Sequence, residues 1–237
     1  MRRPTIVLFG DSITEESFGD GGWGASLVNH FRRSADVLMR GYSGYNTRWA
    51  LRVAERVFGG FESPPPAAVT VFFGANDACL PDRSGAFQHV PVEEYRLNLL
   101  SLLQLIRSRW PTTILLLITP PPIDEDGRLR FPYGGDQSGL PERTNAFAGT
   151  YGSACVNVAE ELGVPVVDLW TKMQRFPGWE KNLLRDGLHL TAEGNRVVFE
   201  EVVERLREQG VSVDAMAVDL PLLSQMDVND PLKSFSN

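Results

Sequence analysis

The sequence predicts an α/β domain built on one five-stranded parallel sheet, with helices on both faces and strand order 2-1-3-4-5. Three observations carry this reading. Five short apolar runs, each bounded by Gly, Pro or polar residues, have the character of strands covered on both sides. Longer segments with apolar residues at helical spacing lie between them. The stretches after the runs, where an open parallel sheet binds its ligands, collect Ser, Gly, Asn, Asp and His.

In chain order, the expected strands are residues 5–9, 37–39, 67–73, 113–118 and 164–167. Pro111 and Pro120 bracket the fourth too closely for a buried helix. Helices are expected over 23–33, 47–58, 92–109, 143–162 and 192–209. The first shows Leu27, Val28 and Phe31 at helical spacing, and Asn46 is the expected N-cap of the second. The third places Tyr95, Leu99, Leu102, Leu103 and Ile106 on one face and carries Arg107 and Arg109 in its last turn. Gly163 ends the fourth, and Thr191 caps the fifth, which stops at Gly210. Residues 59–66 read as a connector and 120–142 as a long irregular insertion. The expected organisation is one domain over 1–210 and a tail over 211–237. That tail packs on the domain or on a partner chain, which leaves a homodimer open.

The chain has 237 residues, enough for one large core, and its formal charge of −7 disfavours a nucleic-acid partner. Cys79 and Cys155 sit in or near apolar stretches and read as core residues of a reducing compartment, so a cytoplasmic location is expected. Arg2 and Arg3 precede the apolar run Ile6 to Phe9, but that run is too short for a signal peptide and leads straight into Gly10-Asp11-Ser12. No apolar run is long enough for a membrane span. No His, Cys and carboxylate cluster has zinc spacing, so no zinc site is expected.

The post-strand segments contain an acyl-transfer kit. Ser12 supplies a hydroxyl, which needs a base. His189 is the one histidine beside a carboxylate at a useful spacing, with Asp186 three residues earlier. Gly44, Asn76 and the Ser12 amide are the candidate oxyanion donors. His30 and His89 read as structural, Asp11 and Asp77 as holders of loop backbone, and Arg48 as a solvated helix residue. Trp23, Pro121, Phe131 and Tyr133 are candidate walls of a substrate pocket.

Phe9-Gly10-Asp11-Ser12 resembles the first block of the GDSL, or SGNH, hydrolases. Gly44, Asn76 and His189 match the other three blocks in the family's chain order, and Asp186 matches its aspartate. Ile13 replaces the family's leucine. Arg40-Gly41-Tyr42-Ser43-Gly44-Tyr45-Asn46, Phe73-Gly74-Ala75-Asn76-Asp77, Gln88-His89-Val90-Pro91 and Asp186-Gly187-Leu188-His189-Leu190 resemble the isoamyl acetate-hydrolysing esterase branch. The resemblance implies a flavodoxin-like α/β/α sandwich and a Ser–His–Asp mechanism without metal or organic cofactor. The small-molecule substrate it implies is a short-chain carboxylic ester such as an acetate. A carbohydrate O-acetylesterase, a lysophospholipase or a thioesterase would use the same residues. A nucleotide-binding module with a phosphate loop at Gly10–Thr14, or a non-catalytic scaffold, is the rival of another class; the acidic Asp11, Glu15 and Glu16 disfavour phosphate there.

Overall fold

Along each central strand, alternate side chains point to opposite faces, and apart from Thr5 and Thr70 both sets are apolar. In the computed structural model, which describes residues 3–60 and 64–235, this divides the interior into two cores. Ile6, Leu8, Ala68, Phe72, Leu116 and Ile118 lie in one, and Val7, Phe9, Val69, Val71, Leu115 and Leu117 in the other. The strands are β1 (Thr5–Gly10), β2 (Asp36–Gly41), β3 (Ala68–Phe72), β4 (Ile114–Ile118) and β5 (Val166–Val167). All pair in parallel in the order β2-β1-β3-β4-β5, as the alternation of runs and helices predicts.

The helices are α1 (Ser12–Glu15), α2 (Trp23–His30), α3 (Thr47–Phe58), α4 (Val92–Arg109), α5 (Glu125–Arg130), α6 (Asn145–Leu162), α7 (Leu169–Met173), α8 (Trp179–Asn182) and α9 (Ala192–Glu208). Residues of α2, α7 and α9 pack into the first core, and residues of α3, α4 and α6 into the second. Among the described residues, no helix is long and apolar enough to cross a membrane. Cys79 and Cys155 are free and buried.

Several boundaries differ from the sequence-based expectation for local reasons. β2 extends through Arg40 and Gly41, because pairing with β1 continues to Gly10 on this half-exposed edge strand. The fourth long helix starts at Asn145 rather than at residue 143. Thr144 Oγ1 accepts the Phe147 amide as its N-cap, and Arg143 turns inward. The insertion over 120–142 contains a helical turn, α5, that composition alone does not announce. Part of the 59–66 connector, residues 61–63, lies outside the described residues, as do residues 1, 2, 236 and 237. In the tail, Asp219 is bound by Arg3 and Arg33, while Leu223, Val228 and Leu232 stay exposed.

What matters for the site is the register. Gly10 pairs with Gly41 and with Phe72, Phe72 with Ile118, and Ile118 with Val167. The last residues of all five strands therefore align across the sheet, and the segments that follow leave from one edge.

Candidate active site

The first segment to leave that edge turns immediately into α1. Asp11 caps it, its Oδ1 accepting the Ile13 amide at 3.0 Å. Ser12 is the first helical residue, so its own N–H is one of the orphan donors of a helix start. Asp11 is fully buried; burial pushes its carboxyl up to about 7, against the pull of the Ile13 amide and of His189.

The histidine arrives from much further along the chain. After β5, the short helices α7 and α8 return the backbone to the edge, where Leu184 and Leu190 form an isolated antiparallel bridge. Between them the Arg185 N–H donates to His189 O at 2.9 Å, closing a tight turn over Asp186-Gly187-Leu188. Gly187 sits at φ +89, which favours glycine, and a Cβ there would lie 2.4 Å from Asp124 O.

Inside this turn, Asp186 Oδ1 accepts the amides of His189 at 2.8 Å and Leu188 at 3.0 Å. Asp186 Oδ2 lies 2.7 Å from His189 Nδ1, and His189 Nε2 lies 3.1 Å from Ser12 Oγ. Burial raises the Asp186 carboxyl, but the ring and amide of His189 and the amide of Leu188 outweigh it and hold the group well below the usual carboxylate range. An ionised Asp186 fixes the proton on Nδ1 and leaves Nε2 to accept from the serine hydroxyl.

The loop after β2 contributes Gly44 at φ +79, between Tyr42 and Tyr45. Its carbonyl accepts Gln88 Nε2 at 2.9 Å; among the described residues no acceptor takes its N–H. After β3 comes Asn76, buried at 4 % exposure. Its Oδ1 accepts from Arg143 Nη2 at 3.1 Å and Gln88 Nε2 at 3.2 Å, and its Nδ2 donates to Tyr45 O at 2.9 Å. The amide orientation is thereby fixed, with one Nδ2–H left over. Asp77 is buried beside it and pushed up to about 7 by that burial, although it accepts both the N–H and the hydroxyl of Thr47 at the start of α3. His89 Nδ1 faces Cys79 O at 2.8 Å, and Arg48 pairs with Glu94 on the surface. Among the described residues, no three His, Cys, Asp or Glu side chains cluster as metal ligands would.

The expected pocket walls are distributed differently. Trp23 is in the core, not at a surface: it is fully buried, its Nε1–H donates to Ile13 O, and its ring packs edge-on to Phe72. Pro121 is buried, and Phe131 is 54 % exposed. Tyr133 ends a run of aromatic contacts from the Gly44 loop. Tyr45 meets Trp49 at 5.8 Å, Trp49 stacks on Phe87 at 6.1 Å, and Phe87 reaches Tyr133 at 6.3 Å.

No role for Gln88, Arg128, Glu142 or Arg143 is predicted by the sequence. Arg143 Nε donates to Ala75 O at 2.8 Å and its Nη1 to Glu142 Oε1 at 2.7 Å. The same carboxylate oxygen accepts Arg128 Nε at 2.8 Å, and Arg128 Nη1 donates to Asp186 O at 2.9 Å. Arg128 and Glu142 show in the sequence only as charges in the insertion, which by composition reads as solvated loop, Arg143 only as the first residue of the expected fourth helix, and Gln88 only within the Gln88-His89-Val90-Pro91 block.

A hydroxyl on a base and the base on a carboxylate form an arrangement suited to acyl transfer, and the oriented Asn76 amide follows a strand that ends at the same edge. The comparisons with known proteins agree. The profile of the family described as GDSL-like Lipase/Acylhydrolase matches residues 6–202. A GDSL esterase/lipase from Arabidopsis thaliana is 60% identical over 99% of both chains. An isoamyl acetate-hydrolyzing esterase 1 homolog from Bos taurus is 46% identical over 83% of this chain and 78% of its own. The crystal structure of the lipase/acylhydrolase from Enterococcus faecalis superposes with a TM-score of 0.68 at 26% identity, covering 93% of this chain and 100% of that one. With a family profile matched over most of its length and a relative 60% identical over 99% of both chains, this chain belongs to the GDSL-like lipase/acylhydrolase family of ester hydrolases.

Proposed function

We propose that the protein is a serine esterase acting on small carboxylic esters with short acyl groups, with Ser12 as nucleophile, His189 as base and Asp186 as its orienting carboxylate. The observation that carries this reading is the unbroken relay from Ser12 Oγ to His189 Nε2 at 3.1 Å and from His189 Nδ1 to Asp186 Oδ2 at 2.7 Å.

In this scheme Ser12 Oγ attacks the ester carbonyl while its proton passes to His189 Nε2. The negative oxygen of the tetrahedral intermediate is held by the amides of Ser12 and Gly44 and by the free Nδ2–H of Asn76. The imidazolium then protonates the departing alcohol. Water, deprotonated by the same histidine, attacks the acyl-serine and releases the acid.

The name of the bovine relative supports a short acyl group and an apolar alcohol. The aromatic run from Tyr45 to Tyr133 supplies an apolar wall beside the Gly44 loop that suits such an alcohol. A cytoplasmic, reducing setting agrees with two free, buried thiols.

The test is a p-nitrophenyl ester series from acetate to palmitate, run beside acetylated sugars and acyl-CoA. The expected result is the highest kcat/KM at acetate to butyrate and a loss on the order of 10⁶ in kcat for Ser12→Ala. Preference for long chains, sugars or acyl-CoA overturns the substrate assignment. A Ser12→Ala variant of native activity overturns the mechanism.

A further inference from the structure

We infer that Arg143 is a positioning residue for the oxyanion-hole amide of Asn76, held in place through Glu142 and Arg128 by the insertion that precedes α6. The inference rests on the proposed function above.

Burying a guanidinium is costly unless every donor is matched, and a well-packed apolar group of similar volume is often no worse for stability. Arg143 and Glu142 are nonetheless each 1 % exposed and Arg128 is 5 % exposed. Their hydrogen bonds are directed at the site. Arg143 Nε holds Ala75 O at 2.8 Å, and Nη2 holds Asn76 Oδ1 at 3.1 Å, so one side chain grips two successive residues of the post-β3 loop. Nη2 also reaches Gln88 Oε1 at 3.2 Å, and Gln88 in turn donates to Asn76 Oδ1 at 3.2 Å.

Two donors on Oδ1 prevent the Asn76 amide from flipping and aim Nδ2 away from the guanidinium. A cation on the carbonyl end also polarises the amide, so that its N–H donates more strongly in a site sheltered from water. The effect grows as charge develops on the substrate oxygen, because the guanidinium is a fixed positive charge behind the donor.

Glu142 and Arg128 fix the other end. Glu142 Oε1 lies 2.7 Å from Arg143 Nη1 and 2.8 Å from Arg128 Nε. Arg128 Nη1 donates to Asp186 O at 2.9 Å and approaches Asp186 Oδ2 at 3.4 Å. Gly127 of α5 packs against Gly187, where a Cβ would lie 2.6 Å from the Gly187 Cα. The insertion thus ties the Asn76 loop to the Asp186–His189 turn.

The test is a double-mutant cycle of Arg143→Lys with Asn76→Ala, read as kcat and KM on p-nitrophenyl acetate. Lysine keeps the charge beside Glu142 but cannot hold Ala75 O, Asn76 Oδ1 and Glu142 together. Thermal unfolding checks that each variant folds, and Arg143→Gln serves as a second probe if the lysine variant does not. The expected result is a kcat loss of about tenfold or more with KM within a few-fold, shrinking to less than about threefold in the Asn76→Ala background. A native kcat in folded Arg143→Lys, a loss confined to KM, or a loss equally large without Asn76 overturns the inference. If Ser12→Ala is inactive in the same assay, such a result sinks the positioning role alone; an active Ser12→Ala sinks the site reading and this role with it.

Discussion

Replacing Asp186 by Asn tests the triad reading without disturbing its geometry. The two carboxylate oxygens have different partners. Oδ1 accepts two backbone amides, at 2.8 and 3.0 Å, and Oδ2 faces the imidazole at 2.7 Å, with Arg128 Nη1 more distant at 3.4 Å. In Asp186→Asn the amide oxygen must take the Oδ1 place. The opposite orientation would set an NH₂ against two backbone N–H groups and leave both unsatisfied, at about 1–3 kcal/mol each. The NH₂ therefore faces His189 Nδ1 and donates to it. The ring proton moves to Nε2, which then donates to Ser12 Oγ instead of accepting from it, and the base is lost. The expected loss in kcat is about 10⁴, equivalent to ~5 kcal/mol in the barrier. The turn keeps both backbone hydrogen bonds, so the unfolding temperature should stay within a few degrees of native. Steady-state hydrolysis of p-nitrophenyl acetate, corrected for spontaneous hydrolysis, reads the effect. A kcat within tenfold of native would refute the tautomer argument.

Four further outcomes follow from particular positions. Asn76→Ala removes one oxyanion donor and should lower kcat by about 10²–10³ with little change in KM, measured on the same ester. Gly187→Ala forces a Cβ to 2.4 Å from Asp124 O at a positive φ, so α5 or the turn must shift. Calorimetry should show a destabilisation of about 1–3 kcal/mol and kinetics a reduced kcat. Gly163→Ala, with φ +60 but open space around the new Cβ, should lose only the backbone part and leave kcat unchanged. Asp11, pushed up to about 7 in the folded chain, binds a proton that the unfolded chain has released above about 4. Stability should therefore fall as pH rises from about 4 to 7, by a few kcal/mol at most for this group. Asp11→Asn keeps the acceptor for the Ile13 amide and should flatten that fall, as read by urea unfolding; an unchanged pH dependence would contradict a buried titrating carboxyl.

The central strands were legible because both of their faces are buried, so Ile6 to Phe9 and Leu115 to Ile118 read as unbroken apolar runs. Edge strand β2 reads short, since Asp36 and Arg40 flank its apolar centre and the pairing partner that extends it is invisible in the chain. Ser12, Gly44 and Asn76 were legible as residues following strands, because the topology brings every strand end to one edge. His189 follows β5 only after two short helices and a bridge, so its place rested on the Asp186 spacing rather than on a strand end. By sequence Trp23 suits either a pocket wall or the core. Its burial beneath α1 is a matter of packing that spacing does not encode. Arg128, Glu142 and Arg143 were illegible for the opposite reason: charged residues in a polar insertion are solvated by default, and only the fold supplies partners that let them be buried.

The most direct test is covalent labelling with a fluorophosphonate, read by intact mass and peptide mapping. One adduct is expected, on Ser12, absent from Ser12→Ala and strongly slowed in His189→Ala. An unlabelled native protein, or an adduct that persists unchanged in Ser12→Ala, would contradict it.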